Sequence, residues 1–109
     1  MTSITVAIPF HVNSPLEELE NCLLSINQQI LKPEEIIIVV NGRKLNLTEK
    51  NKLLLFVERI VNKIEVKIFY LEKASIAEAL NECIAKSNCE WICRLDADDM
   101  MMPNRISVS

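Results

Sequence analysis

The chain has 109 residues, half of them hydrophobic, with 12 basic and 15 acidic side chains and a formal charge of −3. That length fits one domain able to bury roughly 60–70% of its unfolded surface, and its scattered basic residues exclude the clustered cationic face that a nucleic-acid backbone demands. The longest purely apolar run, Ile36 to Val40, is far short of a membrane span, and Met1-Thr2-Ser3-Ile4 opens no signal peptide, so a cytosolic segment is expected.

Short β-rich runs alternate with longer segments that repeat apolar residues every three or four positions, and the order reads βαβαβαβ. Ile4 to Ile8 predicts the first strand, which Pro9 is expected to end because proline removes a backbone donor. Ser14-Pro15-Leu16-Glu17 has the pattern of an N-cap, a first-turn proline and a capping-box glutamate. It predicts a helix over 15–30 with Leu16, Leu19, Cys22, Leu23 and Ile26 on one face. Ile36 to Val40 is apolar on both faces, as a central parallel strand covered by helices should be, and Asn41-Gly42 is its turn. Gly42 is the only glycine, a residue that accepts positive φ and close approach.

A second helix is predicted over 47–62 with Leu53, Phe56, Val57, Ile60 and Val61 inward. Val66, Ile68 and Tyr70 alternate with Lys67 and Phe69 in a third strand, and Ser75-Ile76-Ala77-Glu78 repeats the capping-box pattern. The third helix should turn Ile76, Ala79, Leu80, Cys83 and Ile84 inward. Trp91 to Leu95 is the fourth strand, and Pro103 starts a further helix that Ser109 cuts short, so the chain reads as one nucleotide-binding domain, 1–109, truncated at its C-terminus. Such an alternation argues for a three-layer α/β sandwich around a mostly parallel, Rossmann-like sheet. Of the cysteines, at 22, 83, 89 and 93, Cys22 and Cys83 sit at helical spacing among apolar residues as buried reduced thiols do. A zinc site through Cys89, Cys93 and His11 lacks the usual ligand spacing.

Asp96-Ala97-Asp98-Asp99 follows the fourth strand directly and gathers three carboxyl groups within one turn. Crowded like charges raise one another's proton affinity, and a hard divalent cation carrying a phosphorylated ligand would relieve them. An acidic loop capping the next helix is the plainer alternative. Pro9-Phe10-His11, Asn41-Gly42 and Lys73 end the other strands, so a parallel sheet brings all these residues to one edge, where ligands of such sheets bind.

At this point the chain resembles the family 2 glycosyltransferases, whose nucleotide-sugar-binding fold is called GT-A. The matching segments are Thr5 to His11, Cys22 to Gln29, Pro33 to Gly42, Ala77 to Asn81, and Glu90 to Asp99 with Pro103-Asn104-Arg105. With the Asn-Gly ending of strand two, the last block is similar to the branch that builds bacterial surface polysaccharides such as O-antigen and capsule. The resemblance implies the N-terminal half of a GT-A fold, with Asp96 and Asp98 as the Asp-x-Asp motif. Asp98 would bind Mn²⁺ or Mg²⁺ at the diphosphate, with Asp96 near the ribose or the metal's water shell. Asp99 would orient a metal-bound water or the donor sugar, and Arg94 would pair with the acidic cluster or stay solvated. The nucleoside pocket would use backbone groups of Pro9, Phe10 and His11, the Asn41 side chain and Lys73. Val40 and Asn41 stand where the family usually has aspartates, and Ala74 or Ser75 replaces a small glycine before the third helix. An asparagine amide still matches the N–H and carbonyl of uracil, which favours a UDP-sugar donor.

The implied activity is metal-dependent, inverting transfer from a nucleotide-sugar to a glycan or lipid-linked acceptor, at the inner face of a membrane in the full-length protein. The catalytic base is expected beyond this chain, so the 109 residues should bind donor without transferring it. A non-catalytic nucleotide-binding or interaction module is the alternative. A phosphatase with its nucleophile in Asp96-Ala97-Asp98 lacks the usual downstream residues, and a calcium loop lacks its glycine and closing glutamate. A sheet missing its remaining strands is expected to self-associate.

Overall fold

The computed structural model of the chain describes residues 3–29, 32–61, 63–72, 76–87, 89 and 91–95. The elements run β1 (Ile4–His11), α1 (Leu16–Asn27), β2 (Glu35–Asn41), α2 (Leu47–Ile60), β3 (Glu65–Leu71), α3 (Ile76–Lys86) and β4 (Trp91–Arg94). The strands form one parallel sheet in the order β3-β2-β1-β4. The βα alternation read from the sequence is therefore the fold: α1 and α2 cover one face and α3 the other.

Every residue of β2 is buried, which explains its unbroken aliphatic run. Ile36, Ile38 and Val40 face Leu19, Leu23 and Ile26 of α1 and Leu53 and Val57 of α2, while Ile37 and Val39 meet Ala7 and Cys83 on the α3 side. Each of Ile36, Ile37 and Ile38 is 0% exposed, and burying such a side chain contributes about 1.5–3 kcal/mol. Burial also pushes the Cys83 thiol up to about 11, as expected of an inert core cysteine. All four cysteines are free, Cys22 and Cys83 buried among them.

Several local expectations are corrected. Pro9 does not end β1, which continues to His11 and pairs Pro9 with Val39 of β2. The Ala7 carbonyl accepts the Leu95 N–H at 2.9 Å, so alternation along the strand points the Pro9 nitrogen to the same β4 side. The described pairing of β4 with β1 stops at that level, so the missing donor interrupts no described bond. The capping box expected at Ser14 and Glu17 does not form, since α1 starts after Pro15 with no side-chain cap. A full box forms instead on α2, where Asn46 Oδ1 accepts the Glu49 N–H at 2.8 Å and Glu49 Oε1 accepts the Asn46 N–H at 3.1 Å. Leu16 is 48% exposed and Ile84 61% exposed, so neither belongs to the inward face assigned to it. The side chains of Ile76 and Ala79, the cap at Ser75 and the helix after Pro103 lie outside the described residues.

Candidate functional site

The C-terminal ends of β1 and β2 are in register, with Phe10 opposite Val40 and His11 opposite Asn41, and the Val12 N–H donates to the Asn41 carbonyl at 2.9 Å. Adjacent residues of a strand point to opposite faces, and Phe10 and Val40 turn into the core beneath α1 and α2. Phe10 thus serves the rim through its carbonyl, which accepts from Asn41 Nδ2 at 3.2 Å.

That bond orients the Asn41 amide. Asn41 is only 4% exposed, yet its Oδ1 accepts from no described residue, and no buried side-chain polar atom among the described residues lacks a partner. Oδ1 is thus an acceptor without a partner among the described residues, with one amide proton already committed to the backbone. His11 is fixed beside it. Its Nδ1 accepts the Asn13 N–H at 3.1 Å, which puts the proton of the neutral ring on Nε2 as a donor. The ring lies over Gly42, whose φ is +119°, and a Cβ there would come within 2.7 Å of His11 Nε2 and 3.1 Å of Val12 Cγ2. Gly42 is thus required both by its backbone conformation and by the closeness of His11.

Across the sheet, Arg94 ends β4 opposite Ala7 and is exposed, and the buried Leu95 is tied to the Ala7 carbonyl. Asp96, Asp98 and Asp99 follow Leu95 in sequence; they and Lys73 lie outside the described residues. The structure thus brings together Pro9, Phe10, His11 and Asn41 at the rim and puts the last described residue of the fourth strand beside Ala7. Among the described residues no group of three His, Cys, Asp or Glu side chains could hold a metal ion. As a donor set, the three carboxylates at 96, 98 and 99 suit a hard divalent cation.

The opposite edge of the sheet carries a polar cluster that periodicity alone does not single out. Glu35, 2% exposed, accepts from Thr5 Oγ1 at 2.8 Å and pairs with Lys67 Nζ at 3.0 Å, while Thr5 Oγ1 also lies 2.8 Å from Ser87 Oγ. The hydrogen bond to Glu35, aided by its charge, holds the Lys67 ammonium above its ordinary pKa. The available signal was a glutamate opening an otherwise aliphatic run, with a lysine two residues into the neighbouring strand.

A family model described as glycosyl transferase family 2 matches residues 5–108. The chain belongs to glycosyl transferase family 2. It is 31% identical over 102 residues to the amylovoran biosynthesis glycosyltransferase AmsE of Erwinia amylovora, a match covering 93% of this chain and 36% of that protein. The crystal structure of S. aureus TarS superposes with a TM-score of 0.76 at 19% identity, covering 97% of this chain and 18% of that one. The chain therefore spans about a third of the length of the curated relative it matches. The TarS likeness shows the fold, a GT-A sheet with its helices.

Proposed function

We propose that this chain is the donor-binding part of a metal-dependent, inverting glycosyltransferase that takes a sugar from a nucleotide diphosphate donor, with UDP favoured. The observation that carries this reading is the rim at β1 and β2, where the Asn41 acceptor and the His11 donor stand side by side above Gly42 in a family 2 chain. An acceptor oriented in this way suits the N3–H of a uracil, and a ring N–H beside it suits a ribose or phosphate oxygen.

Asp98, with Asp96, would hold Mn²⁺ or Mg²⁺, and Asp99 and Arg94 would support them. Such a cation, when bound, neutralises charge gathering on the departing nucleoside diphosphate. The protein's own contribution is to orient the base through Asn41 and to fix the His11 ring, with Lys73 as a further contact to the nucleotide. The acceptor, a glycan or lipid-linked saccharide, and the base that deprotonates its hydroxyl belong on this reading to the rest of the enzyme, working at the cytosolic face of a membrane. The name of AmsE, an amylovoran biosynthesis glycosyltransferase, supports a role in polysaccharide biosynthesis.

Calorimetric titration of UDP with and without Mn²⁺, on the wild type and on Asp98→Ala, tests the proposal. Binding that needs the metal and is lost in the variant is expected; binding indifferent to both would overturn it. Self-association through β4 is part of the same reading, because Trp91 is 61% and Ile92 37% exposed along that strand. Light scattering should then show a species larger than a monomer.

A further inference from the structure

Helices α1 and α2 cover the same face of the sheet and turn stripes of opposite charge away from it. Each returns the chain between two parallel strands, so they run in the same direction, and Asn27 Nδ2 donates to the Ile60 carbonyl at 2.7 Å, which sets their C-terminal ends level. Helix α1 carries Glu17, Glu18 and Glu20 and no basic residue. Its core side is Leu19, Cys22, Leu23 and Ile26, so Glu17, Glu20 and Leu24, at i, i+3 and i+7, form one outward stripe. Helix α2 repeats that spacing with Lys52, Leu55 and Arg59. Leu24 is 43% and Leu55 61% exposed, so covering either removes apolar surface from water.

Neither stripe is neutralised from within the chain. Glu17, Glu20, Lys52 and Arg59 form no ion pair among the described residues. Glu49, which lines one apolar cavity with Arg43, Lys52 and Arg59, is already held by both terminal nitrogens of Arg43, at 2.8 and 3.3 Å, and accepts the Asn46 N–H. The outward side of α2 therefore keeps its positive charge and that of α1 its negative charge. A face divided in this way complements itself under a two-fold rotation. With the rotation axis parallel to the helices, α1 of one copy lies over α2 of the other. Counting back at about 1.5 Å per residue from the level ends, Glu17 and Glu20 bracket Lys52 of the second copy, and Leu24 falls between its Leu55 and Arg59.

We propose that a second copy of this chain docks on this face, α1 on α2 in both directions, with the Glu17 and Glu20 carboxylates at Lys52 and the apolar contact made by Leu24 and Leu55. The contact uses neither the β4 edge nor Asn41 and His11, and it does not rest on the donor reading.

Sedimentation equilibrium of the 109-residue chain tests the proposal by exchanging the charges, with Trp91→Lys in every chain to remove the β4 edge as a rival contact. Glu17→Lys with Glu20→Lys makes both stripes positive, and Lys52→Glu with Arg59→Glu makes both negative. Each pair alone should weaken the dimer about tenfold, whereas mixing the two should restore dimers holding one chain of each kind, which native mass spectrometry resolves. Leu55→Asp should weaken the dimer as well, and added salt should loosen it when the charges are native. The substituted side chains are exposed or half-buried, and a thermal melt checks that each variant folds. A monomer at every concentration, association indifferent to the reversals, or a mixture that forms no mixed dimer would overturn the proposal.

Discussion

The two edges of the sheet use polar side chains in opposite ways. At the N-terminal edge, Thr5, Glu35, Lys67 and Ser87 bond to one another, and the buried carboxylate of Glu35 is satisfied from within the protein. At the C-terminal edge, Asn41 and His11 each use one polar atom to brace themselves on the backbone, and the other has no partner among the described residues. A closed network contributes rigidity, because each member would cost free energy if left unpaired. A half-open one would suit the proposed recognition of the donor, because its remaining donor and acceptor are oriented in advance. On the proposed reading, stability and donor binding fall to opposite ends of the same strands.

Breaking the closed edge should have the largest effect. Glu35→Ala leaves Thr5 and Lys67 without their shared partner and should lower stability by about 2–4 kcal/mol in urea unfolding, less than for a fully buried pair because Lys67 is 24% exposed. Gly42→Ala acts at the open edge through strain: a φ of +119° and a contact 2.7 Å from His11 Nε2 should cost about 1–3 kcal/mol and displace the ring. Its UDP affinity should fall as well, which distinguishes it from Glu35→Ala, whose folded fraction should bind normally. Asn41→Ala should reverse that balance, weakening UDP about threefold to tenfold by calorimetry while costing only about 1 kcal/mol of stability.

The smallest effect is on pH dependence. The folded-state pKa of Lys67 is raised by Glu35, so its contribution is fully present below the unfolded value of about 10.5 and is lost as pH rises through the higher folded value. Wild-type stability should therefore decline at alkaline pH beyond that point, and Lys67→Met should flatten this part of the profile. An unchanged slope in the variant would show that Glu35 is satisfied without the ammonium.

How much of this was legible beforehand depended on the range of the interaction. Ile36 to Val40 announces a central strand because burial on both faces forbids polar residues there, and no other part of the chain has to be known to read it. The caps were harder. Ser14-x-x-Glu17 and Asn46-x-x-Glu49 offer the same local chemistry, but only the second closes, since Pro15 stays outside α1 and shifts the helix start to Leu16. Pro9 misled for a related reason: a missing donor matters only where a partner waits, and where β4 stops is not written beside residue 9.

Periodicity and turn chemistry were enough to specify seven alternating elements, their parallel sheet and the edge at which Pro9, His11 and Asn41 would meet, because these follow from burial and backbone rules acting over a few residues. Only the folded chain decided that the Asn41 amide is turned by the Phe10 carbonyl, that Gly42 makes room for His11, and that Glu35 finds Lys67. Each of those depends on atoms from different elements coming within a few ångströms, and such distances are set by packing rather than by neighbours along the chain.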